Sequence, residues 1–397
     1  MENIDRFIRY AKIDTQSDDT TGTTPSTEKQ KNLSRLLVEE LKELGLSDAY
    51  MDEYGIVYAH LKGVGDKIGL NAHVDTALEV TDTNVNPQIH KNYDGGDIKL
   101  NDKYVLSPKQ FPILNKFKGC DLVTTDGNTL LGADDKAGIA IIMGALAYFK
   151  DHPEVKHHNI SVSFTVDEEI GEGAKHFSLA KMDADYAFTI DGALISNVDF
   201  ENFNAQHLDI DIQGVSVHPG EGKGRLINAV LVLNEFINMM PKNDTPFEAN
   251  EDEGFWHLTG VEGSSDKVHC EFILRDFCRE KLEKRDDIIK NNVVSLLKKY
   301  PNIKIDYSIR EQYENMRKYV DKNPKPVEVA KEALRKNGIE PVSSKIRGGT
   351  DGATFSKMGL VTPNLGTGSY NHHGRFEFLV VQEFEKMIQV VIDILKI

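Results

Sequence analysis

One short stretch of the sequence could supply the hub of a metal centre. It is a glycine-led turn that delivers two adjacent carboxylates to the start of an apolar helix, and it reads Thr129-Leu130-Leu131-Gly132-Ala133-Asp134-Asp135-Lys136-Ala137-Gly138. A carboxylate has two oxygens, so Asp134 could bridge two metal ions held roughly 3.5–4 Å apart. Further ligands are available where predicted strands end, at His73, Glu169, Asp191 and His373. Together these residues indicate a two-metal hydrolase.

A second side chain could orient the first histidine. In His73-x-Asp75, side chains two apart on an extended segment share a face, so Asp75 could reach the imidazole and fix its tautomer for metal binding. Taken alone, the triplet also fits a loop histidine beside a helix cap. The adjacent pair Asp134-Asp135 likewise has a purely structural alternative, since carboxylates stabilise the positive end of a helix dipole.

Three consecutive acids, Asp167-Glu168-Glu169, follow an apolar strand and would be crowded there without a cation. Since adjacent residues of an extended chain point to opposite sides, Glu169 could bind metal while Glu168 stands off as the general base. Acid runs are also common at solvated loop ends. Near the carboxyl end, a glycine-rich loop offers both His372 and His373, and spacing alone does not say which of them is the ligand.

Hydrophobic periodicity predicts the elements that must position these side chains. The predicted strands are 56–61, 68–72, 160–166 and 186–190, and the predicted helices are 33–44, 136–149, 324–337 and 382–396. Residues 82–128 lack a sustained period and are expected to form an elaborated loop with short strands. Strands that alternate with helices and end on polar residues predict an α/β fold with a mostly parallel sheet and a site along one edge.

The pattern changes at about residue 206. Strands and helices are predicted in the order βαββαβ, at 208–212, 226–240, 255–261, 268–274, 280–300 and 303–309. This is the order of the ferredoxin-like split βαβ unit. We therefore expect residues 206–312 to form an inserted lid or dimerisation domain, with a catalytic domain built from 1–205 and 313–397.

Composition narrows the class of protein. The formal charge of −16 disfavours nucleic acids and anionic membranes as partners. Three cysteines, Cys120, Cys270 and Cys278, cannot form a closed disulfide framework and lack the spacing of a zinc motif. The opening residues show no secretory signal, and the apolar run 137–149 is shorter than the ~20 residues of a membrane span. We expect a cytoplasmic protein.

Several longer motifs occur along essentially the whole chain. They are Ala72-His73-Val74-Asp75-Thr76, Gly132-Ala133-Asp134-Asp135-Lys136-Ala137-Gly138, Asp167-Glu168-Glu169-x-Gly171-x-Gly173, His218-Pro219-Gly220 and Arg347-Gly348-Gly349-Thr350-Asp351-Gly352. Together they resemble the peptidase T family of tripeptide aminopeptidases, which lies within a wider clan of co-catalytic zinc aminopeptidases, carboxypeptidases and deacylases.

The resemblance implies a role for each candidate. Asp134 would be the bridging ligand; His73 and Asp191 would complete one zinc site, and Glu169 and His373 the other. Glu168 would be the general base and Asp75 would orient His73. The Asp134–Asp135 peptide bond would be cis, and His373 would be preferred to His372 because it directly precedes the glycine.

The implied reaction is release of the N-terminal residue of a tripeptide, with Glu168 as the general base that takes a proton from water and a metal-bridging hydroxide as the nucleophile. Co²⁺ or Mn²⁺ could substitute for zinc. The implied partners are short peptides with a free amino terminus, together with a second copy of the chain if the inserted domain forms a homodimer. A dipeptidase, a carboxypeptidase or an N-acyl amino acid deacylase would share the metal site. A non-catalytic peptide-binding protein is a further alternative, disfavoured because all six site residues are present.

The residues that would hold the peptide are less defined. His218 lies early in the inserted domain, where its counterpart in dimeric relatives reaches a partner's site and can stabilise an oxyanion; a turn histidine is the alternative. Arg347 and Arg275 are candidates for binding a peptide carboxylate, since guanidinium binds it through two hydrogen bonds. Arg275 also fits an ordinary ion pair at a strand end.

Overall fold

The computed structural model describes residues 2–397, and the chain in it divides into two compact units. Unit 1 comprises the described residues up to Phe200 together with Met316–Lys345 and Thr350–Ile397. Unit 2 comprises Glu201–Asn315 and Ile346–Gly349. The second unit is thus an insertion into the first, and the short segment 346–349 belongs to it.

Ten α-helices lie within residues 2–397. In chain order they are α1 (Asn3–Ala11), α2 (Gln30–Glu43), α3 (Ala133–Asp151), α4 (Leu179–Met182), α5 (Ala229–Met239), α6 (Arg279–Lys299), α7 (Arg317–Val320), α8 (Lys325–Lys336), α9 (Asp351–Met358) and α10 (Val381–Leu395). Three 3-10 turns lie at Pro112–Phe117, Glu168–Ile170 and Pro219–Glu221. None of the helices among the described residues is long and apolar enough to cross a membrane.

The strands of the described chain number nineteen. They are β1 (Tyr50–Met51), β2 (Val57–Leu61), β3 (Lys67–His73), β4 (Gln88–His90), β5 (Ile98–Lys99), β6 (Val105–Leu106), β7 (Leu122–Thr124), β8 (Asn159–Thr165), β9 (Tyr186–Gly192), β10 (Val198–Asp199), β11 (Glu201–Asn202), β12 (Asn204–Gln213), β13 (Phe255–Gly263), β14 (Lys267–Asp276), β15 (Lys304–Tyr313), β16 (Lys345–Ile346), β17 (Asn364–Gly366), β18 (Ser369–Tyr370) and β19 (Phe378–Val380).

The main sheet of unit 1 has seven strands in the order β1-β2-β8-β3-β9-β17-β10. The pairs β8–β3, β3–β9 and β9–β17 are parallel, whereas the three outer pairs are antiparallel. β3 and β8 are buried along almost their whole length, as is typical of parallel strands covered on both faces. The predicted α/β fold with a mainly parallel sheet is confirmed.

Helix α3 packs between this sheet and the helices α1 and α10. Its residues from Lys136 to Leu146 are all buried, which explains why the sequence is apolar on nearly every side of the helix. The approach to β9 is close: a Cβ on Gly138 would lie 1.9 Å from the carbonyl oxygen of Ile190. Glycine at this position therefore sets how near the start of α3 can come to the sheet.

Residues 82–128 form short strands, as the sequence predicts, and also contain one 3-10 turn. Strands β4 and β7 join β18 and β19 in a four-stranded antiparallel sheet. An apolar cluster lies beneath it and includes Leu106, Leu114, Phe117 and Phe378. This smaller sheet holds the carboxyl-terminal glycine-rich loop, because β18 and β19 flank residues 371–377.

Unit 2 is an antiparallel sheet with two helices on one face. Its strand order is β13-β14-β12-β15, and its elements follow one another as β12, α5, β13, β14, α6 and β15, which is the predicted βαββαβ order. Alternate residues of β12 and β14, such as Leu208, Ile210, Cys270 and Phe272, are buried in one apolar cluster with α5 and α6. The residues between them point to the opposite face and are mainly polar.

Replacing Gly138 by alanine is expected to destabilise the chain by about 1–3 kcal/mol, because the added methyl group would overlap the Ile190 carbonyl. Gly144→Ala on the same helix is the control. There the nearest atoms are side-chain atoms of Asn3 and Ile388 at 3.0 Å, which can move, and alanine favours a helix over glycine by about 1 kcal/mol. Calorimetric unfolding temperatures compare the two variants; equal values would show that the close approach has no cost.

Candidate active site

The polar ends of three neighbouring strands meet at one edge of the main sheet. His73 is the last residue of β3, Glu168 and Glu169 follow β8, and Asp191 lies near the end of β9. Parallel strands present their carboxyl ends at the same edge, which is where sites form in α/β sheets. The structure therefore brings together side chains as far apart in the sequence as His73 and Asp191.

Asp134, at the start of α3, lies at the same edge of the sheet. Gly132 precedes it with φ = 74°, a left-handed conformation that glycine adopts readily, and Asp134 itself is not helical. The Asp134–Asp135 peptide bond is cis, as the family resemblance implies. Asp135 points away from the candidate ligands: its carboxylate accepts hydrogen bonds from the backbone N–H groups of His73 at 3.2 Å and Gly138 at 3.1 Å.

One group of candidate ligands consists of His73, Asp134 and Asp191. The Nε2 atom of His73 lies 3.1 Å from Asp134 Oδ1 and 3.4 Å from Asp191 Oδ1. On the other side of the ring, Nδ1 lies 3.1 Å from the carbonyl oxygen and 3.3 Å from the carboxylate of Asp75. These contacts leave Nε2 directed toward the two aspartates.

The other group consists of Asp134, Glu169 and His373, and it shares Asp134 with the first. His373 Nε2 lies 3.0 Å from Glu169 Oε2 and 3.5 Å from Asp134 Oδ2. His372 also approaches Asp134, with its Nδ1 3.3 Å from Oδ2, but its Nε2 is hydrogen-bonded to Ser369 at 2.8 Å. Each oxygen of Asp134 thus faces a different histidine group, which is the arrangement of a bridging carboxylate.

The donor set fits two divalent transition-metal ions. A tetrahedral zinc ion with ligands at about 2.0–2.2 Å places those ligands about 3.3–3.6 Å from one another, close to the separations within both groups. Imidazole with carboxylate is also a donor combination that suits zinc. In addition, Glu169 Oε1 is buried and has no hydrogen-bond partner among the described residues.

The histidines and Asp134 stabilise each other's charged forms. Burial alone would raise the pKa of Asp134, but His372, His373 and His73 hold it well below its usual range. Burial alone would lower the pKa of His73, but the negative charge of Asp191 and a hydrogen bond to Asp134 raise it instead. Hydrogen bonds to carboxylates raise the pKa of His373 to about 12. Without cations, His373 therefore carries a proton at neutral pH, and the carboxylates of Asp191 and Asp134 favour the protonated form of His73.

The remaining acids are crowded. Burial raises the pKa of Glu169 to about 8, and the negative charge of Asp134 contributes to this shift. Burial likewise raises the pKa of Asp191 to about 6. The pKa of Glu168 is raised by burial and then by the charge of Asp191. Cations at this position would relieve the repulsion and favour the ionised carboxylates.

The backbone conformation at Glu168 and Glu169 differs from the one that the sequence predicts. The extended backbone assumed for them is wrong: Asp167 is left-handed with φ = 59°, and a 3-10 turn begins at Glu168. The turn arises because Asp75 accepts hydrogen bonds from the backbone N–H groups of both glutamates, each at 3.1 Å. Glu168 Oε2 then lies 4.0 Å from His73 Nε2.

Two buried acids near the site are not identified by the sequence analysis. Glu377 accepts hydrogen bonds from the backbone N–H groups of Leu131 and Gly132 at 2.8 Å and of Asp134 at 3.0 Å. Asp351 accepts a hydrogen bond from Thr165 at 2.5 Å, and burial raises its pKa to about 7. Glu377 had no local signal beyond its place four residues after His373, whereas Asp351 lies within the Arg347–Gly352 motif.

The other three candidates lie in unit 2. His218 is exposed, precedes a 3-10 turn and accepts a hydrogen bond from the Gly220 N–H at 3.2 Å. Arg347 donates to the carbonyl oxygens of Asn250 at 2.8 Å and Glu251 at 2.6 Å. Arg275 donates to the carbonyl oxygens of two residues in its own sheet, and its guanidinium lies 5.3 Å from the Tyr313 ring. Both arginines thus have structural contacts within unit 2.

Known proteins are similar to this chain in sequence along its whole length. The sequence model of the peptidase family M20/M25/M40 matches residues 123–397. Peptidase T from Clostridium perfringens is 46% identical over 397 residues, an alignment that covers 99% of this chain and 98% of that protein. The range 123–397 contains Asp134, Glu169, Asp191 and His373, and the full-length relative extends the match across His73.

Solved structures share the fold. The crystal structure of aminopeptidase PepT from Bacillus cereus has a TM-score of 0.78 at 22% identity and covers 99% of this chain and 96% of that one. A dinuclear metal-binding peptidase of the M20 family from Bacillus subtilis has a TM-score of 0.63 at 13% identity, covering 99% and 96%. The chain belongs to the M20/M25/M40 family of metallopeptidases and, within it, to the peptidase T group.

Proposed function

We propose that this chain is a cytoplasmic tripeptide aminopeptidase that hydrolyses the first peptide bond of short peptides with a free amino terminus. The observation that carries the proposal is the pair of ligand groups that share Asp134, with Glu168 beside them. The relatives named peptidase T, similar along the whole chain, support this substrate class over the dipeptidase, carboxypeptidase and deacylase alternatives.

We propose zinc as the metal, with cobalt or manganese as substitutes. His73, Asp134 and Asp191 would hold one ion, and Asp134, Glu169 and His373 the other. Two bound zinc ions would polarise the scissile carbonyl and lower the pKa of a bound water from 15.7 toward about 7. Asp75 would keep His73 in the tautomer with Nε2 toward the metal, and Glu79, 3.3 Å from Nδ1 of His373, would do the same for the second histidine.

Glu168 is the proposed general base. Its carboxylate is largely buried and lies beside the ligands, with Oε2 4.0 Å from His73 Nε2, while its backbone is fixed by Asp75. It would take a proton from the attacking water and return it to the leaving amine. Burial and then the negative charge of Asp191 raise its pKa well above its usual range, so it holds an accepted proton more readily than an exposed glutamate does.

Unit 2 is the proposed lid. Closure over a bound peptide would exclude water and limit peptide length, which is one way to prefer a tripeptide over a longer chain. His218 would stabilise the oxyanion in the site of a partner subunit if unit 2 forms a homodimer, and its exposure is compatible with that role. Arg347 and Arg275 are proposed to bind the peptide carboxylate, which would require guanidinium nitrogens beyond those that now donate to carbonyl oxygens.

The substrate class is tested with three alanine peptides. We expect alanine release from Ala-Ala-Ala, loss of that release after chelator treatment, and its return when zinc is supplied. N-acetylated Ala-Ala-Ala should be resistant and Ala-Ala much slower, because the proposed site requires a free amino terminus and a tripeptide. Cleavage of the acetylated peptide would instead assign the chain to the deacylase or carboxypeptidase alternatives.

Glu168→Gln is expected to lower kcat by roughly 10²–10⁴-fold, since a positioned general base contributes about that much. The zinc content should stay at the level of the unaltered protein because Glu168 is not a proposed ligand. Glu172→Gln, which alters an exposed ion pair with Lys175 in the same segment, should leave both quantities unchanged. Near-normal kcat in Glu168→Gln would contradict the assigned role.

Zinc binding is expected to release roughly two protons or more at pH 7, because two of the proposed ligands hold a proton there in the metal-free centre. The pKa of His373 is raised to about 12 and that of Glu169 to about 8, so both must lose a proton to bind, and the raised pKa of His73 adds to the release. The affinity for zinc should accordingly rise with pH. Calorimetric titrations of chelator-treated protein in buffers of different ionisation enthalpy measure the release; a heat independent of the buffer would rule it out.

A further inference from the structure

We propose that the open face of the sheet in unit 2 carries a third divalent metal site, built from Asp209, His269 and Glu271. One ligand atom from each of these side chains lies within 4.8 Å of the other two. This inference does not depend on the peptidase activity, since it concerns residues of the inserted unit alone.

The register of the sheet creates the cluster. β12 and β14 are antiparallel, and Asp209 lies directly opposite Glu271 while Asp211 lies opposite His269. Because side chains alternate between the two faces of a strand, all four point away from the apolar core formed by Leu208, Ile210, Cys270 and Phe272. Two neighbouring strands thus place an imidazole and three carboxylates on one exposed surface.

The histidine is oriented for metal binding. His269 Nε2 lies 3.4 Å from Glu271 Oε1, which is about the separation of two ligands on one tetrahedral ion. Its other nitrogen, Nδ1, lies 3.4 Å from Asp211 Oδ2. A carboxylate at the far ring nitrogen fixes the tautomer of a metal-binding histidine and directs the free nitrogen to the ion.

The side chains around the cluster carry a net negative charge that a cation could neutralise. Asp209 is paired with Arg310 at 2.9 Å and Asp211 with Lys267 at 3.1 Å. Among the described residues, the only ion pair of Glu271 is with His269, and a histidine is not a permanent cation. The three carboxylates therefore face two permanent cations, and one negative charge remains for a divalent ion to neutralise.

The donor set identifies the class of ion. One imidazole with two carboxylates suits zinc and neighbouring first-row ions better than calcium or magnesium, which prefer oxygen ligands alone. Three protein ligands leave a coordination position for water. An ion here would link β12 to β14 and stabilise the folded form of unit 2, because it binds the folded sheet and not the unfolded chain.

The test counts zinc bound to the full-length protein after dialysis against free zinc in excess of what saturates the two-ion centre. We expect one zinc ion more per chain in the unaltered protein than in His269→Ala or Glu271→Gln. The readout is the difference in zinc count between the unaltered protein and each variant, so it does not depend on how many ions the two-ion centre binds. Asp211→Asn should weaken the extra site by about 10–100-fold without removing it.

His257→Ala is the matched control, since His257 lies on β13, opposite Ile273 of the same sheet, and outside the ligand group. It should keep the additional ion. Trp256 is the one tryptophan of the chain and lies in unit 2, so its fluorescence reports the unfolding of this unit. Added zinc should raise that unfolding temperature in the unaltered protein and not in His269→Ala. Equal zinc counts in the two proteins would overturn the proposal.

Discussion

Repulsion between buried carboxylates is the constraint on which the site in unit 1 depends. Asp134, Glu168, Glu169 and Asp191 converge at one edge of a buried sheet, and each unpaired negative charge there would be costly. The metal-free chain offsets the repulsion with protonated histidines and with carboxylates whose pKa values are raised. Two divalent cations would perform the same electrostatic task with more charge, which explains why so many acids are tolerated together.

A second layer of acids fixes the first. Asp75 holds the backbone of both glutamates as well as the ring of His73, and Glu377 holds three backbone N–H groups in the turn that presents Asp134. These contacts act on the backbone, so they set where a ligand's Cα lies as well as how its side chain turns. Geometry accurate to a fraction of an ångström requires this kind of support, because a metal site loses affinity when its ligands drift.

The sequence predicts much of this arrangement because strand ends, glycine turns and helix starts have local signals. The candidate ligands His73, Glu169 and Asp191 lie at the ends of apolar strands or just after them, and the mainly parallel sheet follows from the alternation of elements. What escapes prediction is contact across the fold. Glu377 bonds to residues about 245 positions away, and the turn at Glu168 exists because Asp75 lies beneath it. Neither contact leaves a pattern in the adjacent residues.

The ends of unit 2 have a consequence for how such chains diversify. The short segment 346–349 joins this unit separately. The main segment of the unit, 201–315, passes into the four-stranded sheet on β12 and out of it on β15, and these strands are antiparallel neighbours with Ala205 opposite Tyr313. Entry and exit are therefore about 5 Å apart, the spacing of paired strands. A gene could lengthen, replace or lose the whole segment while the two points of attachment stay adjacent. Such changes would leave the candidate metal ligands of unit 1 in place.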